Sequence, residues 1–290
     1  MKQSFLAIVV LLAIIHAEVC LCPAGAASTI DLTNRYAYGG NAGWMNWVGN
    51  TNNGAVIGEY VCSGYVYSPN LGWINLGNGS PTNQIQYQNL SAGDFGVNQD
   101  GYGNLRGYAY SANAGWINFE GTGAPKVDLF TGQFTGYAWS ANCGWISLSN
   151  AVAYVQADSI QQGVLAPDGL PVAWLLVNFG TTNVNANASP TGKGMTIQQD
   201  YLAGTDPTDS NSVLKITYIS RSGTESGLDW ETVGDRYYTI QTNSALANGS
   251  WGDMFRLDIP GWNNGYFYDG DPTNRFYRIR AYRPLMPTVN

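Results

Sequence analysis

Four copies of one pattern, Tyr-x-(Tyr/Trp)-x-x-Asn-x-Gly-Trp-(Ile/Met), limit what the first half of this 290-residue chain can fold into more than any other feature. They run Tyr36–Trp44, Tyr65–Trp73, Tyr108–Trp116 and Tyr137–Trp145, so the tryptophans are spaced by 29, 43 and 29 residues. Trp44 to Trp116 and Trp73 to Trp145 are both offsets of 72, which makes the region one duplicated unit holding two motifs per copy. Repetition of this kind implies one supersecondary unit used several times, each copy burying a face against its neighbour.

Each motif has the logic of a hairpin. Gly107-Tyr108-Ala109-Tyr110-Ser111 alternates large and small side chains, as a strand does. Ala112-Asn113-Ala114-Gly115 then supplies turn residues that tolerate left-handed backbone, and Trp116-Ile117-Asn118-Phe119 resumes the strand. Val127–Phe130 and Gln133–Tyr137, around Thr131-Gly132, extend the unit to a three-stranded meander. Both strand faces carry apolar bulk and need cover, which favours a sandwich or a barrel over a lone sheet. A position recurring with its turn residues in every copy is expected to be structural, so Trp44, Trp73, Trp116 and Trp145 read as core or cross-strand stacking. The alternative is a ligand-stacking surface that includes Tyr38, Tyr67, Tyr110 and Trp139.

Residues 1–27 have the layout of a secretory signal: Met1-Lys2, an apolar run from Phe5 to Ile15, and the small residues Ala24-Gly25-Ala26-Ala27 at the expected cut. The run is too short to span a bilayer comfortably, and no second apolar segment follows. The expected location is therefore secreted, extracellular or at the cell surface, with no membrane insertion once the signal is removed. Cys62 and Cys143 would then remain, and in an oxidising compartment a disulfide between them is the default expectation. The only histidine, His16, lies in the signal, which removes Ser-His-Asp and Cys-His catalysis and histidine metal sites from the mature chain. Residues 28–165 hold seven acids and three bases (Arg35, Arg106, Lys126), and the whole chain has net charge −7. Nucleic acid demands clustered Lys and Arg, so it is excluded as a partner.

Beyond the repeats the pattern changes. Pro171 to Gly180 reads as a short helix with proline at its start and glycine at its stop, and Met195 to Leu202 as a second. From Ser212 the period returns to two, with six candidate strands beginning at Val213, Gly227, Tyr237, Phe255, Gly265 and Arg275. That density of short strands indicates an immunoglobulin-like or fibronectin-III-like sandwich. The expected organisation is all-β: signal 1–27, a duplicated β-meander sandwich or barrel over 28–157, a two-helix linker over 158–210 and a β-sandwich over 211–290.

Glu59–Tyr65, Gly103–Tyr110 and Ser140–Leu148 resemble a family of secreted bacterial proteins carrying repeated G-Y-x-(W/Y)-x-x-N-x-G-W-I motifs. The linker resembles thrombospondin-type-3-like calcium repeats: Gly194-Met195-Thr196 with Tyr201–Pro207 match one frame, and Asp168–Pro171 with Trp174 an earlier one. Such repeats wrap calcium in oxygen ligands. Here the carboxylate positions of the later repeat hold Ser189, Thr191, Lys193 and Ile197, with Asp200 surviving; those of the earlier one hold Val164, Ala166, Val172 and Leu175, with Asp168 surviving. The resemblance implies a retained frame with no tight calcium site, hence no metal and no cofactor. The C-terminal part resembles the fibronectin-III-like domain that closes such chains, with Arg275–Arg278 in its last strand.

Export, duplication, a neutral Asn/Gly/aromatic composition and a missing catalytic set point to a non-catalytic structural or adhesive extracellular protein, a surface, matrix or filament component. Its expected partners are itself or other extracellular protein. The alternative is a lectin-like module for polysaccharide, with rings stacking on sugars and Asn or Asp bonding hydroxyls. A two-carboxylate hydrolase is disfavoured because the acids do not recur: under the 72-residue offset Asp31 faces Gly103 and Glu59 faces Thr131.

Overall fold

Each motif folds as one antiparallel hairpin in a computed structural model that describes residues 27–50, 52–223, 225–244, 251–257, 264–270, 276–283 and 285–286. The signal segment, apart from Ala27, lies outside the described residues. The hairpins are β1 (Ile30–Gly39) with β2 (Gly43–Asn46), β3 (Cys62–Ser68) with β4 (Gly72–Asn78), β5 (Leu105–Ser111) with β6 (Gly115–Asn118), and β7 (Tyr137–Ser140) with β8 (Gly144–Ser147). Every turn ends on a glycine with φ between 67° and 75° (Gly43, Gly72, Gly115, Gly144), which is why the motif keeps Gly before Trp.

Neighbouring hairpins pair at equivalent residues: Asn46 with Tyr67, Asn75 with Tyr110, Asn118 with Trp139, and finally Ser147 with Tyr38. The last pairing returns to the first strand. The sequence left sandwich and barrel open; this closure makes a single eight-stranded up-and-down barrel. Within a hairpin Tyr67 faces Trp73, while across the seam it faces Asn46, two residues beyond Trp44. Four such seams give a stagger of eight residues in the full turn, and eight strands with that shear tilt by about 36° around an interior just wide enough for side chains.

That interior is filled in layers of four: Ala37, Val66, Ala109 and Ala138; then Met45, Ile74, Ile117 and Ile146; then Trp47, Leu76, Phe119 and Leu148. Ala42, Leu71, Ala114 and Cys143 close the turn end. Ser68 Oγ donates to the Ala42 carbonyl (3.0 Å), Ser111 Oγ to that of Leu71 (2.9 Å) and Ser140 Oγ to that of Ala114 (3.3 Å). The amides of Asn70, Asn113 and Asn142 donate to the same three carbonyls at 3.3, 3.3 and 3.0 Å. So the motif asparagine ties each hairpin to the preceding one as well as shaping a turn. At the fourth seam Gly39 takes the serine's place.

The expected disulfide is corrected: Cys62 and Cys143 are both free and buried. Cys143 sits at a turn tip, whereas Cys62 begins β3, six residues from that end of the barrel. At 3.3 Å per residue this separates them by about 20 Å, and a disulfide needs Cα atoms within about 7 Å. Each is a small hydrophobe of the core, Cys62 standing where the third and fourth hairpins have Leu105 and Phe134, and burial pushes its thiol up to about 12.

Beyond the barrel, α1 (Val172–Phe179) and α2 (Ile197–Ala203) pack around Leu170, Trp174, Leu175 and Tyr201. Thr196 and Gln199 form a reciprocal capping box at the start of α2. The buried Lys193 ammonium lies 2.8 Å from Asp200 Oδ1 and donates to the carbonyls of Asp206 (2.6 Å), Asp209 (3.2 Å) and Ser212 (2.9 Å). The side chain thus puts its own positive charge inside a ring of oxygens, while Ile197 turns into the hydrophobic core.

The C-terminal strands are β9 (Ile216–Ser222), β10 (Glu225–Glu231), β11 (Tyr237–Asn243), β12 (Gly252–Leu257), β13 (Asn264–Asp269) and β14 (Phe276–Tyr282). They form two three-stranded sheets, β9-β10-β13 and β12-β11-β14, around Leu228, Trp230, Tyr238 and Ile240. With β9 to β14 taken as strands A, B, C, C′, E and F, this is the A-B-E and C′-C-F order of an immunoglobulin-type sandwich. A buried ionic junction ties the three parts together. Arg283 pairs with Glu59 of the barrel and, at 3.0 Å, with Asp235; Arg236 donates to the Tyr201 and Leu202 carbonyls at the end of α2. No helix among the described residues is long and apolar enough to cross a membrane.

Candidate binding site: four aromatic faces on the barrel wall

The four repeat tryptophans do not fill the core. Trp44, Trp73, Trp116 and Trp145 lie on the outer wall and are 44, 46, 48 and 51 % exposed. Alternation along each strand forces a choice of face, and an eight-stranded barrel has room inside for layers of Ala, Val, Ile and Met but not for four indoles in one layer. The small partner of each alternating pair therefore goes in and the ring goes out. The core reading of these residues is corrected; the cross-strand reading stands, because each indole pairs with an aromatic directly opposite.

Those pairs are Tyr38 with Trp44, Tyr67 with Trp73, Tyr110 with Trp116 and Trp139 with Trp145. In the first three the ring centroids are 4.9, 4.9 and 5.0 Å apart with planes tilted by 57–64°. A second tyrosine meets each indole edge-on at 6.1–6.3 Å: Tyr36, Tyr65, Tyr108 and Tyr137. Aromatic rings favour such tilted and edge-to-face contacts. The tyrosines brace the indole from the facing strand and leave part of its surface to solvent.

One polar group completes each face. Asn46, Asn75 and Asn118 stand two residues after the indole, on the same side of the strand. Their carbonyl ends are taken: Asn46 Oδ1 accepts from the Val48 and Gly49 N–H, Asn75 Oδ1 from Gly77 and Asn118 Oδ1 from Glu120. Among the described residues nothing accepts from their Nδ2. On the fourth face Ser147 stands at this position and donates to the Ser149 carbonyl (2.7 Å). The third face has an extra wall, since Phe95 meets Trp116 at 5.2 Å and 81°.

The carboxylates lie elsewhere. Glu59 borders a groove of about 310 Å³ beside Tyr60, Gln161 and Gln162, where it pairs with Arg283 and accepts from the Tyr201 hydroxyl (2.8 Å). Burial and the neighbouring Asp31 charge raise the Asp158 carboxyl above the usual carboxylate range. The asparagines are the candidate groups that reading the sequence missed. Their signal was there, an Asn two residues after Trp in three of four copies, but only the turn asparagine drew notice. Comparison with protein-family models, curated proteins and solved structures finds no match.

Proposed function

We propose that this is a non-catalytic, adhesive extracellular protein that makes contact through the outward aromatic faces of its barrel. One observation carries the reading: four indoles, each about half exposed, recur at equivalent places around a closed wall. Large aromatic surfaces left open on a soluble fold mark interaction sites more often than chance exposure does. Among the described residues, layers of side chains fill the barrel axis where a substrate would otherwise enter. Glu59 is held by an arginine and a tyrosine, and Asp31 Oδ1 accepts from the Thr33 and Asn34 N–H of its own turn. The signal-like N-terminus supports export, and the resemblance to exported repeat proteins belongs to the same proposal.

The test is attachment. Beads bearing the mature chain are expected to stick to polysaccharide-coated or protein-coated surfaces, and beads bearing the variant with all four repeat tryptophans changed to alanine are not. Equal attachment by both would remove the aromatic faces from the function. A second reading, assembly into a matrix or filament, has its own support: β9 is an edge strand with one hydrogen-bonded neighbour among the described residues, and Tyr218 and Ile219 on it are exposed. Concentration-dependent polymers in sedimentation, abolished by Ile219→Lys, would favour it.

A further inference from the structure

We propose that the ligand of the four faces is a neutral, hydroxyl-rich polysaccharide, held by more than one face at a time. This rests on the faces being the contact surface, and it adds what they contact. The chemistry of the wall narrows the partner from three sides.

Charge is the first. The outward strand residues around the indoles are mostly Tyr, Trp, Asn and Ser, and the charges beside them are few and of both signs: Arg106 two residues before Tyr108, Glu120 accepting from the Gly107 N–H, and Arg35, whose guanidinium lies 5.3 Å from the Tyr36 ring centroid. A polyanion or an anionic lipid surface would need a cluster of Lys and Arg here. Hydrogen bonding is the second. A purely apolar partner would bury the phenols and amides with nothing to bond, which costs free energy for each group. Asn46, Asn75 and Asn118 are instead anchored by their oxygen ends, which leaves the NH2 to donate. A pyranose offers the matching pair of features, an apolar C–H face for the indole and a rim of hydroxyls for amide and phenol.

Repetition is the third. Adjacent faces are two strands apart, roughly 10 Å at the backbone, within reach of one polymer chain. A single open indole is a weak site, and linked weak sites gain by effective concentration once one of them is engaged. A polymer is therefore favoured over its own short fragments. The faces are not identical: Phe95 makes the third a two-walled notch, and the fourth has Trp139 and Ser147 where the others have Tyr and Asn.

Affinity electrophoresis of the mature chain tests this, in gels holding hydroxyethylcellulose, xyloglucan or galactomannan and, separately, alginate or polygalacturonate. At least one neutral polymer is expected to retard the protein, equally at about 0.05 and about 0.5 M salt, because no ion pair is involved. Single Trp→Ala changes are expected to weaken retardation by about 3- to 10-fold each, and the fourfold variant to run freely. A gentler variant covers the case in which that protein does not fold. Asn46→Asp, Asn75→Asp and Asn118→Asp together keep the oxygen that anchors each local turn and remove the donor, and binding is expected to fall by about 10-fold or more. Retardation by the polyanions alone, or no retardation in any neutral gel while Trp-dependent attachment of beads persists, would overturn the ligand class and leave the adhesive reading standing. If neutral gels retard the protein and its tryptophan-free variant alike, both fall.

Discussion

In the barrel the seam bonds and core layers recur, whereas in the linker one polar cluster stands alone. Ser68, Ser111 and Ser140 make the same bond at three seams, and four residues share each core layer. Between α1 and β9, a single ammonium, Lys193, gathers the carbonyls of Asp206, Asp209 and Ser212 and neutralises Asp200. The repeat spreads its stability over many equivalent bonds, so losing one leaves the others in place. The linker, beside its small apolar core, ties several backbone segments to one charge, and one substitution reaches all of those bonds. The same contrast sets tolerance to change: duplication permits drift at any single copy, as Gly39 in place of the seam serine illustrates, and the oxygen ring around Lys193 permits none.

Lys193→Met is accordingly expected to be the most damaging single change. It leaves Asp200 buried without its cation, and breaking a buried pair from one side costs about 3–5 kcal/mol. Urea unfolding should show the loss, with proteolytic nicking confined to residues 180–215 at low denaturant. A loss under about 1 kcal/mol would mean that the oxygens are satisfied by water, and that the linker is not organised around one charge.

These two regions also differ in how much the sequence disclosed. The hairpins were legible because Tyr-x-(Tyr/Trp) and Trp-(Ile/Met) alternate and the Asn-x-Gly between them demands a turn. Closure was not, since a sandwich and a barrel share their hairpins and differ in a two-residue stagger at the seams that no composition encodes. The choice of face was open to reasoning, because counting ring volumes against an eight-stranded interior would have sent the indoles outward. The thiols were open to it in part: aligning the copies sets Cys143 with Ala42, Leu71 and Ala114, all apolar, and Cys62 with Leu105 and Phe134 in two copies but Thr33 in the first. In the linker, Lys193 was marked as hostile to a metal. Its partners at 206, 209 and 212 are backbone carbonyls, which carry no sequence signature.

Seam bonds should cost less, and add. Ser111→Ala removes a buried hydroxyl donor from the Leu71 carbonyl, worth about 1–2 kcal/mol, and Ser68→Ala and Ser140→Ala should each cost the same. The double variant Ser68→Ala/Ser140→Ala should lose the sum within about 0.5 kcal/mol, since the two sites share no partner. Strong non-additivity would show that the barrel opens at one seam. The fourth seam cannot be improved the same way, because a Cβ on Gly39 would lie 3.0 Å from that of Ala42 and 3.2 Å from the Trp145 carbonyl.

Cys62 separates the two thiol accounts through pH. Its thiol is protonated in the fold up to about 12, while an unfolded cysteine loses its proton near 8.5. Below about 8.5 the contribution is whole; above it the unfolded chain holds fewer protons than the folded one, and stability falls by up to about 1.4 kcal/mol per pH unit. Cys62→Val should lack that alkaline component and stay within about 1 kcal/mol of the parent at pH 7. Thiol reagents should label neither cysteine before unfolding, and dithiothreitol should leave the melting temperature unchanged.

A small stability change belongs to the residues the sequence made most conspicuous. Trp116→Ala on the outer wall deletes cross-strand contacts with Tyr110 and Tyr108, worth about 0.5–1.5 kcal/mol, whereas the same change in a core would cost about 3–5 kcal/mol. Ile117, its neighbour in sequence, points inward and gives the internal control: Ile117→Ala should cost about 2–5 kcal/mol. If the order reverses, with tryptophan costing more than isoleucine, the indoles hold the fold together and the wall is scaffolding. If the order stands, four large rings are maintained at places where stability asks little of them, as the proposed contact surface requires.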